Sequence, residues 1–239
     1  MSELHYEPDD PSINKLALKA KVAQQIERRR NEGEDLEPIL PSATKELSTS
    51  FWGQSWNRNL TAYADYESRM APARTALRRG AVMDLNISTG KVSAVAAGAG
   101  LYDVVIHFKT LHEEVWQRLC ADCAKDIASL VELLAGKLSA VVMKRVTAPD
   151  EGLFPSPSEI RCTCTCPDDA SLCTHSAAVL YAVSIKLDQD PALLFTLRKV
   201  RAEDMLQSSL ADTVSELISD KTDDIPREDL QALFGIELK

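Results

Sequence analysis

Apolar positions along this chain change period several times, and each change marks an element. Ile13, Leu16, Val22 and Ile26 recur at helical spacing behind Pro8, Asp9, Asp10 and Pro11, with Ser12 placed to cap the helix they predict. Asn31 to Ser50, carrying Gly33, Pro38 and Pro41, has no such period and reads as a linker. Phe51, Trp52, Trp56, Tyr63 and Tyr66 then fall near i, i+4 spacing, which predicts one or two short helices laid on a sheet. Such a stripe can stack nucleobases, but aromatic rings bury large areas, so these are assigned to the core.

From Val82 to Phe108 the period drops to two. Met83, Leu85 and Ile87, then Val92, Ala94 and Ala96, then Tyr102, Val104, Ile106 and Phe108 alternate with polar or smaller residues. Thr89-Gly90 and Gly98-Ala99-Gly100 separate the runs, so a three-stranded meander follows. His107 falls opposite Tyr102 and Phe108 and is expected at the surface. Helical spacing returns between Leu111 and Met143, where Trp116, Leu119, Cys120, Cys123, Ile127, Leu130, Leu134, Leu138 and Val141 share a face, with a break near Gly136. The Cys-x-x-Cys spacing of Cys120 and Cys123 invites a second metal or redox reading. No matching pair stands beside them and no thioredoxin-like strand precedes them, so they are read as buried thiols.

With 239 residues, 45% of them hydrophobic, the chain can fill a real core. No apolar run approaches the roughly 18 residues of a membrane span, and Met1-Ser2-Glu3-Leu4-His5-Tyr6 has no leader character, so a cytoplasmic protein without a membrane partner is expected. A net charge of −9 sets the surface as a whole against polyanions, and any nucleic-acid contact must therefore be local. Charge is uneven along the chain. Ala202 to Lys239 holds ten acidic residues against Lys221, Arg227 and Lys239, whereas Lys15, Lys19, Lys21, Arg28, Arg29 and Arg30 face Glu27 alone near the other end. Solvated helix faces account for both runs.

Four of the six cysteines lie between Cys162 and Cys173, a concentration unlike a secreted disulfide framework and suited to a metal. Zinc takes four nitrogen or sulfur donors in a tetrahedron, with Zn–S near ~2.3 Å and Zn–N near ~2.0 Å. Residues i and i+2 of a strand project to one face, so Cys164 and Cys166 can aim both sulfurs at one ion once the strand kinks. Pro167 ends the strand, Asp168 to Leu172 turn the chain, and Cys173-x-His175 delivers a third thiolate and an imidazole as a helix begins. That helix, Ser176 to Leu187, is apolar on nearly all sides and is expected to be buried. Asp190 and Pro191 read as N-cap and first residue of a further helix that turns Leu193, Leu194 and Leu197 inward. Cys162 adds a thiol at the same spacing, so Cys162 with Cys164 forms a competing register. Four protein donors close the shell, and no His-Glu-x-x-His motif is present, so no enzymatic activity is expected.

Cys164-x-Cys166-x6-Cys173-x-His175, followed by Ser-Ala-Ala-Val-Leu-Tyr, resembles the SWIM zinc finger. Pro167-Asp168 falls where that family places its own such pair, which favours the Cys164 and Cys166 register and leaves Cys162 as a substitute. Gly98-Ala99 stands where many relatives carry Gly-Ser, so a serine contact at that turn is not carried over. The likeness to stand-alone bacterial SWIM proteins continues along roughly residues 50 to 200, through Phe51-Trp-Gly-Gln-Ser-Trp56, Arg79-Gly80, Val82-Met-Asp-Leu85, Gly90-Lys-Val-Ser-Ala94, Tyr102-Asp-Val104, Leu153-Phe-Pro155 and Leu194-Phe-Thr-Leu-Arg198.

What the resemblance implies is bound Zn2+ and a recognition role. Such fingers occur in helicase-like chromatin-remodelling ATPases, Mutator-type transposases and signalling kinases, where DNA or protein binding is ascribed to them. Bacterial relatives accompany a helicase-like ATPase of the Swi/Snf type. DNA or RNA and such an ATPase are therefore the candidate partners, a pure protein adaptor being the alternative. Arg74, Arg78, Arg79, Lys91, Lys144, Arg145 and Arg161 are the candidate phosphate contacts. The expected fold is α+β, a small antiparallel sheet with packed helices and an integrated Cys-x-Cys, Cys-x-His finger. Its expected organisation is an N-terminal helix and linker (1–50), a core with the meander (51–150), the finger (151–190) and an acidic helical segment (191–239) ending in Leu230 to Leu238.

Overall fold

The computed structural model of the chain describes residues 11–42, 45–62, 67–124, 126 and 130–205. In chain order the elements are α1 (Pro11–Asn31), α2 (Phe51–Thr61), α3 (Glu67–Arg78), β1 (Val82–Ser88), β2 (Lys91–Ala97), β3 (Leu101–Phe108), α4 (Glu113–Cys123), α5 (Leu130–Leu134), α6 (Ala140–Val146), β4 (Ile160–Cys164), α7 (Thr174–Gln189) and α8 (Ala192–Arg198). The fold is α+β, with one antiparallel sheet in the order β1-β2-β3-β4. The meander expected from the period-two runs is β1 to β3. The strand that carries the first finger cysteine adds to its edge, with Val104 opposite Cys164 and Ile106 opposite Cys162.

One face of this sheet is apolar. Val92, Ala94, Ala96, Val104, Ile106 and Phe108 are buried there, and α7 packs against all four strands. Every residue of α7 from Ser176 to Ile185 is buried, because α2 and α3 cover the side turned away from the sheet. This agrees with a sequence apolar all round. Trp52 and Trp56 are fully buried; Trp52 Nε1 donates to Leu133 O at 3.1 Å and Trp56 Nε1 to Leu180 O at 2.8 Å. Both indoles therefore meet the two demands of a buried Trp, apolar packing and a hydrogen-bond partner, and are core residues. Tyr63, Tyr66, Ile127 and the acidic stretch ending in Leu230 to Leu238 lie outside the described residues, as do the side chains of Ile13, Leu16 and Leu130.

Several boundaries differ from expectation. Ser12 lies inside α1, since Pro11, whose ring presets a helical φ, already belongs to it. The stretch from 31 to 50 is no free linker: Leu36 and Leu47 are buried, Pro38 bridges Met83, and Ile39 N donates to Val82 O at 2.8 Å. Its partners are distant in sequence, so local composition hides them. The helical face between Leu111 and Met143 is divided among α4, α5 and α6, with Gly136 (φ +68°) closing α5. Ser139 caps α6 afresh by accepting from Val142 N, and the face of α4 is not continued. Val142 and Val146 are buried, while Val141 is 64% exposed. Finally, α8 is preceded by Pro191 in helical conformation, one residue later than expected, although Asp190 still accepts the Ala192 N–H.

Two long-range clamps fasten these layers. Asp188 on α7 accepts from Ser48 Oγ (2.6 Å), Ser50 Oγ (2.7 Å), Thr49 N (2.7 Å) and Ser50 N (3.0 Å), and Ser50 Oγ in turn accepts Gly53 N as the cap of α2. Arg198, only 1% exposed, donates to Lys109 O and to Glu159, tying α8 to the strand pair β3 and β4. Burial opposes ionisation of Asp188, but the hydroxyls of Ser48 and Ser50 and the two N–H groups outweigh it and hold its pKa below the ordinary value. The stabilisation is thus complete well above the ordinary carboxylate pKa of about 3.9 and fades as pH falls below it. Asp188→Asn is expected to lower stability at neutral pH by about 2–3 kcal/mol, a difference that shrinks below about pH 4; urea unfolding of both proteins across pH measures it.

Candidate metal centre

The elements deliver four donors to one point. β4 ends at Cys164, the chain bends, and Cys166 follows on the same side, buried. The turn that brings the chain back is held by Asp168, which accepts Ala170 N at 3.1 Å and pairs with Arg69 of α3 at 2.9 Å, and by the buried Leu172. Asp168 is thus a turn former. Cys173 is the N-cap of α7, its sulfur accepting Ser176 N at 3.4 Å, so the helix starts two residues earlier than its apolar pattern and takes His175 into its first turn.

Sulfurs of Cys164, Cys166 and Cys173 and a ring nitrogen of His175 lie within 4.8 Å of one another. A tetrahedron with Zn–S near ~2.3 Å has edges near ~3.8 Å, so the donors need to close in by less than about an ångström. The nitrogen turned toward the sulfurs is Nδ1, 4.0 Å from Cys173 Sγ. On the opposite side of the ring, a Cβ placed at Gly98 would run into Nε2, and the Tyr102 ring lies 4.6 Å from the imidazole between centroids. Three sulfurs and one nitrogen are a donor set that selects zinc, and these four residues would hold it with no position left for water.

The thiols differ in acidity. Burial pushes Cys162 and Cys164 up to about 12. At Cys173 burial also acts upward, but the His175 ring, the Ser176 hydroxyl and N–H, and Cys166 overcome it and bring the group down to about 6. A thiolate at a helix N-terminus is favoured in the same sense by the helix dipole.

Residues 145–184 match the SWIM zinc finger family. The SWIM match runs from the last two residues of α6 through β4 and the ligand loop to the first two-thirds of α7, so it takes in all four donors. The chain is also similar to Uncharacterized protein Rv2102 of Mycobacterium tuberculosis, at 27% identity over 147 residues, which is 60% of this chain. The chain spans about half of that relative, 53% of its length. No solved structure matches.

Other residues singled out in sequence are placed as follows. Cys162 lies on β4 opposite Ile106, outside the SWIM cluster. Cys120 and Cys123 are buried on α4 with thiols raised by burial to about 12 and 11, and among the described residues they join no group of three or more metal-binding side chains. Arg74 stacks over the Tyr181 ring, 5.4 Å from its centroid, Arg78 donates to Lys45 O at 2.6 Å, and Arg145 pairs with Asp122 at 2.6 Å. Arg79, Lys91, Lys144 and Arg161 are exposed. Lys91 stands opposite His107 on β3, and His107 opposite Arg161 on β4, so the sheet places these three in one row. Gly98 and Tyr102, which support His175, were not recognised as site residues from sequence, and only the Gly98-Ala99-Gly100 turn signalled a close approach.

One zinc per chain is expected by elemental analysis, retained in Cys162→Ser and lost in Cys173→Ser and in His175→Ala, which also lower the melting temperature. Gly98→Ala, which forces the His175 ring aside, is expected to weaken zinc affinity by about tenfold, as loss of a supporting contact does elsewhere; competition with a chromogenic chelator reads it.

Proposed function

We propose that this chain is a non-enzymatic, zinc-stapled recognition module of the cytoplasm that contacts nucleic acid and works beside a helicase-like ATPase of the Swi/Snf type. The observation that carries the reading is the closed donor set: three thiolates and an imidazole fill the tetrahedron, so the ion contributes folding free energy, on the order of 10 kcal/mol, and not a reactive water. What the ion stabilises is then a surface. Arg79, Lys91, Lys144 and Arg161 support nucleic acid as its partner, since they are exposed and engage no side chain among the described residues despite a net charge of −9. The SWIM match adds support, because fingers of this family mediate nucleic-acid or protein contacts.

A pure protein adaptor is the second reading, favoured by one feature. Leu18, Val22, Ala23 and Ile26 of α1 face Pro38, Met83 and Ala97 across a mainly apolar groove of about 620 Å³. Apolar area of this kind suits a protein partner. No helix among the described residues is long and apolar enough to cross a membrane.

Affinity purification of the tagged full-length chain, with and without nuclease, separates the two readings. The first expects nucleic acid to co-purify together with an ATPase whose recovery falls after nuclease; recovery of protein partners unchanged by nuclease, with no nucleic acid bound by the pure chain at low salt, would replace it with the second.

A further inference from the structure

The pairing register makes the outer face of the sheet a grid. Ser88, Lys91, His107 and Arg161 form one row across β1 to β4, and Asn86, Ser93, Val105 and Thr163 form the next. All four members of the first row are exposed, as are Asn86 and Thr163. Neither row contains a carboxylate. The third row is different: Met83 and Val95 are buried with Leu36 beneath Ile26 of α1, and Asp103 is held at 3.0 Å by Arg29. Asp84 stands beyond the two open rows at the β1 bulge. Thus α1 covers one end of the outer face, and among the described residues nothing covers the cationic end.

We infer that this bare end is a binding surface for single-stranded nucleic acid, with the phosphodiester backbone lying along Ser88, Lys91, His107 and Arg161 and the bases over Asn86, Ser93 and Thr163. It rests on the nucleic-acid reading above and gives it a place, on a face formed largely outside the matched finger. Charge complementarity selects the polyanion: Lys91, His107 and Arg161 have no acidic neighbour in the two rows and no ion pair among the described residues. Shape selects the single strand. Four strands spaced about 4.8 Å apart make a surface about 14 Å wide, too broad for a major groove of about 12 Å that admits a helix or a two-stranded ribbon. An unpaired strand can lay both backbone and base edges on such a plane. A protein interface would need an apolar centre, and half-buried Val105 is the sole apolar member of these rows. The two rows carry no aromatic ring besides the His107 imidazole, so binding there is mainly electrostatic and tolerant of sequence.

The test is fluorescence anisotropy of the zinc-loaded full-length chain with a labelled oligo-dT 20-mer over a salt series. The double variant K91A/R161A is expected to bind about tenfold more weakly, with a salt slope shallower by about 1.4, two phosphate contacts at about 0.7 each. R118A/K137A, exposed cations outside the candidate contacts, serves as the control and is expected to bind like the native chain. Photocrosslinking of an iodouracil-substituted strand to the native chain is expected to label peptides of β2, β3 or β4, a readout independent of any variant's folding. Unchanged binding by K91A/R161A with loss in R79A/K144A, the other exposed candidate contacts, overturns the placement while leaving the nucleic-acid reading intact. Tighter binding of a duplex of equal length also overturns it. Absence of any binding by the native chain at low salt overturns both.

Discussion

Three sulfurs held within 4.8 Å of one another are mutually repulsive as thiolates and poorly solvated as thiols, and a divalent cation is what makes their convergence favourable. Without it, burial keeps Cys164 protonated up to about 12 while Cys173 ionises near 6. The site before metal therefore holds one strong anionic anchor at a helix N-terminus and a partner that must lose its proton on binding. The N-terminal end of α7 is positioned at this point. The helix is the buried centre of the described residues, its N-cap and first turn carry two of the donors, and the strand supplying a third forms one edge of the sheet on which it rests.

Zinc fixes one end of α7, and hydrogen bonds fix the other. Asp188, one residue before the helix ends, gathers the hydroxyls and N–H groups of the segment from Ser48 to Ser50 and so locates the start of α2 with its two buried indoles. Arg198 does comparable work for α8, where a buried guanidinium is compensated by Glu159 and the Lys109 carbonyl. A charge buried at 1% exposure is tolerable because both partners are present, and losing either leaves the other stranded in a low-dielectric interior. The finger is consequently one corner of a core that includes the meander and the aromatic helix.

A closed inner face and a half-open outer face then divide the sheet's work. Inward residues of β2, β3 and β4 meet α7 and the donors, while alternate residues of the same strands point the other way and form the polar grid. Strand geometry couples the two, since a shift of register by one residue would exchange them. The alternation that turns the half-buried Cys162 and Cys164 inward is the one that exposes Arg161 and Thr163.

Much of this was legible in the order of residues. Cys-x-Cys and Cys-x-His name their own metal because strand and helix-start geometry bring i, i+2 pairs to one side, and period-two runs between glycine turns define the three strands of the meander. The stretch after His175, apolar on nearly all sides, determined that its helix is buried. Tertiary structure alone decided which strand β4 joins, that Leu36, Pro38 and Leu47 pack against the body, that Val142 and not Val141 turns inward, and that Gly98 must lack a side chain to admit His175. It alone separated Arg74, Arg78 and Arg145, each engaged by a partner, from Lys91 and Arg161, aligned across two strand pairings through His107. The physical reason is one of range: periodicity and ligand spacing are set by backbone geometry over a few residues, whereas edge pairing, close approach and the pairing of charges depend on which distant segments share a place, and that is settled only when the whole core is packed.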